Sequence, residues 1–205
     1  MSKFQQLKSE LKEHKKLLLL SLLFFIATNV INYFSGVYVD LVAGPPVPDI
    51  ILSNIPTIDL SIIFIYGYII ILGVFILYPL FFKTRELHIA ISQFSLIVLI
   101  RSVFIMLTHF GAPAGIIAVQ HSFYFFDLVS FPNALFFSGH TALPFLGFLI
   151  FQDEKIKHFF LISTIIMAVT VLLMHIHYSI DVFAALFITY GSYKMGNRIF
   201  KGEWS

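Results

Sequence analysis

The sequence predicts an all-α, polytopic membrane protein with six transmembrane helices and both termini cytoplasmic. Three observations carry that expectation. The 205-residue chain is 59% hydrophobic and only 12% charged, with a mean hydropathy of +0.91, well outside the composition of soluble domains. Windows of roughly 20 apolar residues, the length that crosses a bilayer as a helix, recur about six times. Nearly all the Lys and Arg residues fall on one side of those windows, the side that the positive-inside rule makes cytoplasmic.

Residues 1–16 alternate Lys and Glu, with Phe4, Leu7 and Leu11 at helical spacing. This pattern reads as a cytoplasmic juxtamembrane segment on the inner surface, a leader that fixes topology. It is not expected to be a secretory signal, because the apolar stretch that follows is long and lacks a small-residue cleavage site. The six-helix membrane domain is expected over 17–198, with a cytoplasmic tail at 199–205. No internal repeat or linker divides the chain.

The spans are read at 17–40, 59–82, 88–109, 137–152, 158–176 and 178–197. The fourth is short and is expected either to extend back into 131–135 or to stop shallow in the outer leaflet. Lys3, Lys8, Lys12, Lys15 and Lys16 precede the first span, and Lys83 with Arg85 joins the second to the third. Lys155 with Lys157 joins the fourth to the fifth, and Lys194, Arg198 and Lys201 close the chain. The opposite connections, 41–58 and 110–136, contain neither Lys nor Arg. A net charge of +2 gives no argument for nucleic acid, and the absence of Cys excludes disulfides and thiolate metal sites.

Polar groups inside such spans cost free energy and mark function. Arg101 stands about 20 Å along the third span at 1.5 Å per residue, with Thr108 beyond it. His140 opens the fourth span, behind Ser138 and Gly139. His177 and Asp181 open the sixth, four positions apart and so on one face of a helix. All fall at one depth, on the non-cytoplasmic side. For each a structural reading competes: Arg101 snorkelling to head groups, His140 packing, and His177 with Asp181 knitting two spans together. Their convergence favours chemistry. An aspartate on one ring nitrogen leaves the other free to attack or to move a proton.

Other residues carry less. His109, His121 and His175 form no zinc-like spacing, and His175, two positions from His177, would point to the opposite side of a helix. No metal and no soluble cofactor is expected. The phenylalanines, Phe123 to Phe126 included, read as lipid-facing filler. Tyr33, Tyr38, Asp40, Asp49, Tyr124 and Asp127 in the outer connections could attract an ammonium head group, or serve as interface anchors.

Four stretches together resemble the sphingomyelin synthase branch of the type 2 phosphatidic acid phosphatase superfamily. Pro45-Pro46-Val47-Pro48-Asp49 is similar to that branch's first-loop motif. Arg101, Thr108 and Pro113 resemble its third-span motif. Phe137-Ser138-Gly139-His140-Thr141 and His177-Tyr178-Ser179-Ile180-Asp181 resemble its two histidine motifs, with Ser179 in place of Thr. The resemblance implies His177 as nucleophile, Asp181 as its orienting partner and His140 as general acid. Arg101, Ser138 and Gly139 would bind the phosphate, and Asp49, Tyr178 and Thr108 would make head-group or loop contacts.

The chain departs from the phosphatases of that superfamily. Arg101 stands where they carry Lys, Thr108 and His109 stand for Arg-Pro, and Thr170 with Val171 stands for Ser-Arg. A monoester carries roughly two negative charges near neutrality and a diester one, so losing two cations favours a phosphodiester donor. The acceptor is then a ceramide-like lipid hydroxyl or water, which makes the protein a transferase or a phospholipase C. Two alternatives stand beside this: a phosphatase acting on phosphatidic acid or a polyprenyl pyrophosphate, and a non-enzymatic lipid-handling protein. The expected partners are a membrane phospholipid, its acceptor and the bilayer. Short loops and absent Cys lean toward a bacterial inner membrane with the site facing the periplasm.

Overall fold

The computed structural model describes residues 9–117 and 131–200. The described residues are helical with no strand, as the composition predicts. Among the described residues six helices of 12 residues or more follow one another: α1 Lys15–Val42, α2 Tyr68–Phe82, α3 Leu87–Leu107, α4 Gly139–Ile150, α5 Lys157–Leu173 and α6 Ser179–Phe200. A π-helical turn at Ile63–Gly67 runs directly into α2. The end of the leader is helical over 9–13, and its first eight residues lie outside the described segment.

Local chemistry explains where the helices stop. α1 ends before Gly44-Pro45-Pro46, where proline forbids the helical conformation to its predecessor. α4 starts at Ser138, whose Oγ accepts from the Thr141 N–H at 3.4 Å, satisfying one of the unpaired donors of the first turn. α5 ends where His175 takes a positive φ of 52°, which turns the chain.

Lys15–Val42, Ile63–Phe82 and Thr84–Leu107 are long and apolar enough to cross a membrane. α4 and α5 are apolar but only 12 and 17 residues long. α6 has 22 residues but carries Asp181, Lys194 and Arg198. The expected extension of the fourth span into 131–135 does not form. Residues 131–138 are spent in turns that bring Ser138 N–H to the Asp181 carbonyl at 3.1 Å.

α1 packs along α3, while α4 lies against α5 and α6. Between them Phe75, Phe137, Leu146, Phe151, Phe160 and Met167 form the main apolar core, whose close packing brings the helices into contact. The connections 43–62, 108–117 and 174–178 meet at one end of the bundle. Gly44 N–H donates to the His109 carbonyl at 2.7 Å, Ile58 N–H to Leu173 at 2.8 Å and Ile117 N–H to Met174 at 3.0 Å. The short connections after α2 and α4 meet at the other end, where Lys83 pairs with Glu154 at 2.5 Å.

Candidate functional site

A cavity of about 550 Å³ opens beneath the end of the bundle where the long connections meet. Arg101, Gly139, His140 and His177 all line it. The residues come from three separate parts of the chain, and two backbone arrangements bring them together. The N-terminus of α4 presents Gly139 and His140. The turn before α6 presents His177, and the bond from Ser138 N–H to the Asp181 carbonyl ties the two helix starts together.

The His177 Nδ1 lies 3.4 Å from Asp181 Oδ2. The same oxygen accepts from the Tyr178 N–H at 2.9 Å. α6 starts only at Ser179, so the two residues do not share a helix face as the spacing predicts. Asp181 instead turns its carboxylate back over the first turn of the helix toward the ring. Asp181 is fully buried, and its Oδ1 has no hydrogen-bond partner among the described residues. Engaging Nδ1 leaves Nε2 as the nitrogen available for chemistry.

The His140 ring lies against Phe64 and Tyr68, with centroids 4.0 Å and 4.3 Å away. Arg101 is held by the chain that leads into α4. Its Nε donates to the Phe137 carbonyl at 3.0 Å, its Nη2 to the Ala134 carbonyl and its Nη1 to Asn32 Oδ1 at 3.5 Å. Arg101 and Asp181 attract each other electrostatically, so the cation and the orienting carboxylate belong to one charge cluster.

Of the other predicted site residues, Gly139 lines the cavity and Ser138, Thr108, Tyr178 and Asp49 stand outside its wall. Ser138 is fully buried and serves as the cap of α4, while Gly139 sits beside Arg101 in the cavity wall. Thr108 lies outside the wall, its hydroxyl donating to the Phe104 carbonyl at 2.9 Å. Tyr178 is buried; its hydroxyl donates to the Gly111 carbonyl at 2.8 Å and accepts from the Val47 N–H at 3.0 Å. Asp49 Oδ2 accepts from the Ser179 N–H and Oγ, and its Oδ1 accepts from the Ile51 and Leu52 N–H groups. Both oxygens accept hydrogen bonds, so Asp49 holds the loop to the start of α6.

His175 is not on a helix at all. It sits in the turn after α5, with Nδ1 3.1 Å from the Ala114 carbonyl. His109 Nε2 lies 2.8 Å from the Met106 carbonyl, and Asp40 accepts from the Asn133 N–H at 3.1 Å. Tyr33 and Tyr38 make ring contacts with Phe34, Phe131 and His109. His121, Tyr124 and Asp127, with the run from Phe123 to Phe126, lie outside the described residues.

Sequence reasoning missed Asn29 and Asn32 of α1 and Phe64 and Tyr68 near the start of α2, all of which line the cavity. A signal for the asparagines was present. Asn29 and Asn32 lie three apart in an apolar span, with Thr28, Ser35 and Gly36 on the buried side, the pattern of a helix face turned toward protein. Nothing in the sequence marks Tyr68. The π-helical turn that aims it is set by packing.

No family model matches this chain, and no curated protein matches it in sequence. The resemblance therefore rests on the four motifs.

Proposed function

We propose that this protein is an integral membrane phosphotransferase or hydrolase of the sphingomyelin synthase type, cleaving a phospholipid head-group phosphodiester through His177. One observation carries the reading. His177, with Asp181 against its ring, shares a single cavity with His140 and Arg101, although these residues come from separate parts of the chain. The cavity is large enough for a phosphorylated head group and lies where acyl chains can remain among apolar helices.

In the first step His177 Nε2 attacks phosphorus, and the bond to the diacylglycerol oxygen breaks as that oxygen takes a proton from His140. Arg101 and the N-terminus of α4 face the charge that gathers on the equatorial oxygens. In the second step His140 takes the proton of an incoming hydroxyl. That oxygen bonds to phosphorus, and the phosphorus–nitrogen bond breaks with its electron pair returning to His177. A ceramide-like acceptor makes the reaction a transfer; water makes it a hydrolysis.

The reading also places six helices across the bilayer, with the cavity on the non-cytoplasmic side. The charge distribution supports this. His14 at the start of α1 lies against His88 at the start of α3, and Lys83 pairs with Glu154, which gathers the basic connections at the end opposite the cavity.

Arg101 is the cation of the cavity wall, which suits a singly charged diester better than a doubly charged monoester. The test uses protein in lipid nanodiscs with labelled phosphatidylcholine or phosphatidylethanolamine, with and without ceramide, beside phosphatidic acid. A new head-group lipid, or diacylglycerol from the diester, absent with His177→Ala, is the expected result. Turnover of phosphatidic acid alone would make the protein a phosphatase, and no difference from His177→Ala would sink the catalytic reading.

A further inference from the structure

Tyr68 is a polar group of the cavity to which the catalytic reading gives no task. Its ring lies against His140 at 4.3 Å, and its phenol is within electrostatic range of Arg101. It lines the same cavity as Arg101, His140 and His177. Its hydroxyl makes no hydrogen bond to any described residue. A tyrosine hydroxyl inside a protein ordinarily has a partner. One left open on a cavity wall that also carries a guanidinium and a histidine points to a partner that arrives with the ligand.

The backbone gives a second, independent sign. The turn immediately before Tyr68 is π-helical, Ile63–Gly67. Such turns insert a residue into a helix and occur frequently at functional sites. Here the inserted residue changes the direction of the side chains on either side of it, and Phe64 and Tyr68 both come to face His140. Phe64 could hold the ring by itself. A phenylalanine at position 68 would do so equally well, so the packing does not explain the hydroxyl.

We propose that Tyr68 is a further catalytic residue of this site, its hydroxyl donating a hydrogen bond to a non-bridging oxygen of the phosphoryl group during transfer. The proposal rests on the phosphoryl-transfer reading above. An ordinary phenol keeps its proton near neutrality, so it can donate without adding a second positive charge. Arg101 needs such help. Three of its nitrogens already donate to Phe137, Ala134 and Asn32, leaving two of its five N–H groups for the ligand. A neutral donor beside one cation stabilises the equatorial oxygens of a diester and leaves the site poor in charge for a monoester.

The experiment compares wild type, Tyr68→Phe and His177→Ala in nanodiscs by two readouts. One is turnover of the phosphodiester lipid, separated into kcat and KM. The other is binding of orthovanadate, which adopts the five-coordinate geometry of the transition state and needs no lipid substrate. Tyr68→Phe keeps the ring against His140, and the melting temperature checks that the fold is intact. The expected result is a fall in kcat of about 10²- to 10³-fold with KM little changed, the range seen when one transition-state donor is removed. Vanadate binding weakens in parallel. Wild-type turnover and vanadate affinity in Tyr68→Phe, with both lost in His177→Ala, would overturn the role of Tyr68 alone. Wild type matching His177→Ala in both readouts would overturn the phosphoryl-transfer reading and this proposal with it.

Discussion

Asp49 and Ser179 lie 130 residues apart, and Asp49 Oδ2 accepts from both the backbone N–H and the hydroxyl of Ser179, each at 2.8 Å. A loop between α1 and α2 thereby caps the first turn of α6, the turn that carries Asp181. The Pro-rich motif and the second histidine motif are one structural unit.

Removing that cap should cost both stability and turnover. Asp49→Ala is expected to lower stability by about 1–2 kcal/mol, the range for losing a helix cap. Asp49→Asn, which keeps one acceptor oxygen, should fall between. Thermal unfolding in detergent, with turnover measured beside it, checks the order; equal values for all three proteins would contradict the capping role.

The same carboxylate predicts an acid dependence. Burial pushes the Asp49 carboxyl up, but hydrogen bonds from Leu52, Ser179 and Ile51 outweigh it and hold it below its ordinary 3.8. A carboxyl whose folded value lies below its unfolded one stabilises fully above the unfolded value. That contribution is lost as the pH falls through the folded value. The gap in melting temperature between wild type and Asp49→Asn should therefore be constant above pH 3.8 and narrow beneath it.

The two histidines should separate by leaving group. In the proposed reaction His177→Ala removes the nucleophile, and it should abolish turnover of any phosphodiester. His140→Ala should lower lipid turnover by about 10²–10⁴-fold, the usual worth of general acid–base catalysis. An aryl phosphodiester, whose leaving group departs without a proton, should be cleaved by His140→Ala with a much smaller loss. Equal losses on both substrates would reverse the assignment of His140 as acid.

Arg101→Lys keeps the charge but not the geometry. An ammonium cannot hold the carbonyls of Phe137 and Ala134 together while presenting donors to the cavity. We expect turnover to fall about 10- to 100-fold, as read by steady-state kinetics. Full activity would mean that charge alone matters at this position.

A pair outside the cavity wall tests the packing. Gln93 is fully buried in α3, and its Nε2 donates to the Tyr193 carbonyl at 3.2 Å and to Asn197 Oδ1 at 2.9 Å. A Cβ at Gly196 would fall on the Gln93 carboxamide. Gly196→Ala should destabilise by about 1–3 kcal/mol through overpacking. Shortening Gln93 to Ser in the same chain should recover part of that loss, a coupling that a double-mutant cycle measures.

The amino-acid sequence by itself determined the helical class, the apolar character and the local groupings. Ser138 caps the helix that begins one residue later, and His177 meets Asp181 four positions on, because both relations lie within about one helical turn. Even there the reason differed, since α6 begins only at Ser179 and Asp181 reaches back to the ring. Of the two readings of the fourth span, the extension into 131–135 fails because hydropathy does not register that the backbone there must bend to bring Ser138 to Asp181. Only the tertiary structure decided that Asp49 holds Ser179, that Asn32 meets Arg101, and that a π-helical turn faces Tyr68 toward His140. Periodicity and spacing act between near neighbours in the chain, whereas these contacts join segments tens of residues apart. Their partners are chosen by helix packing, which no single stretch of sequence encodes.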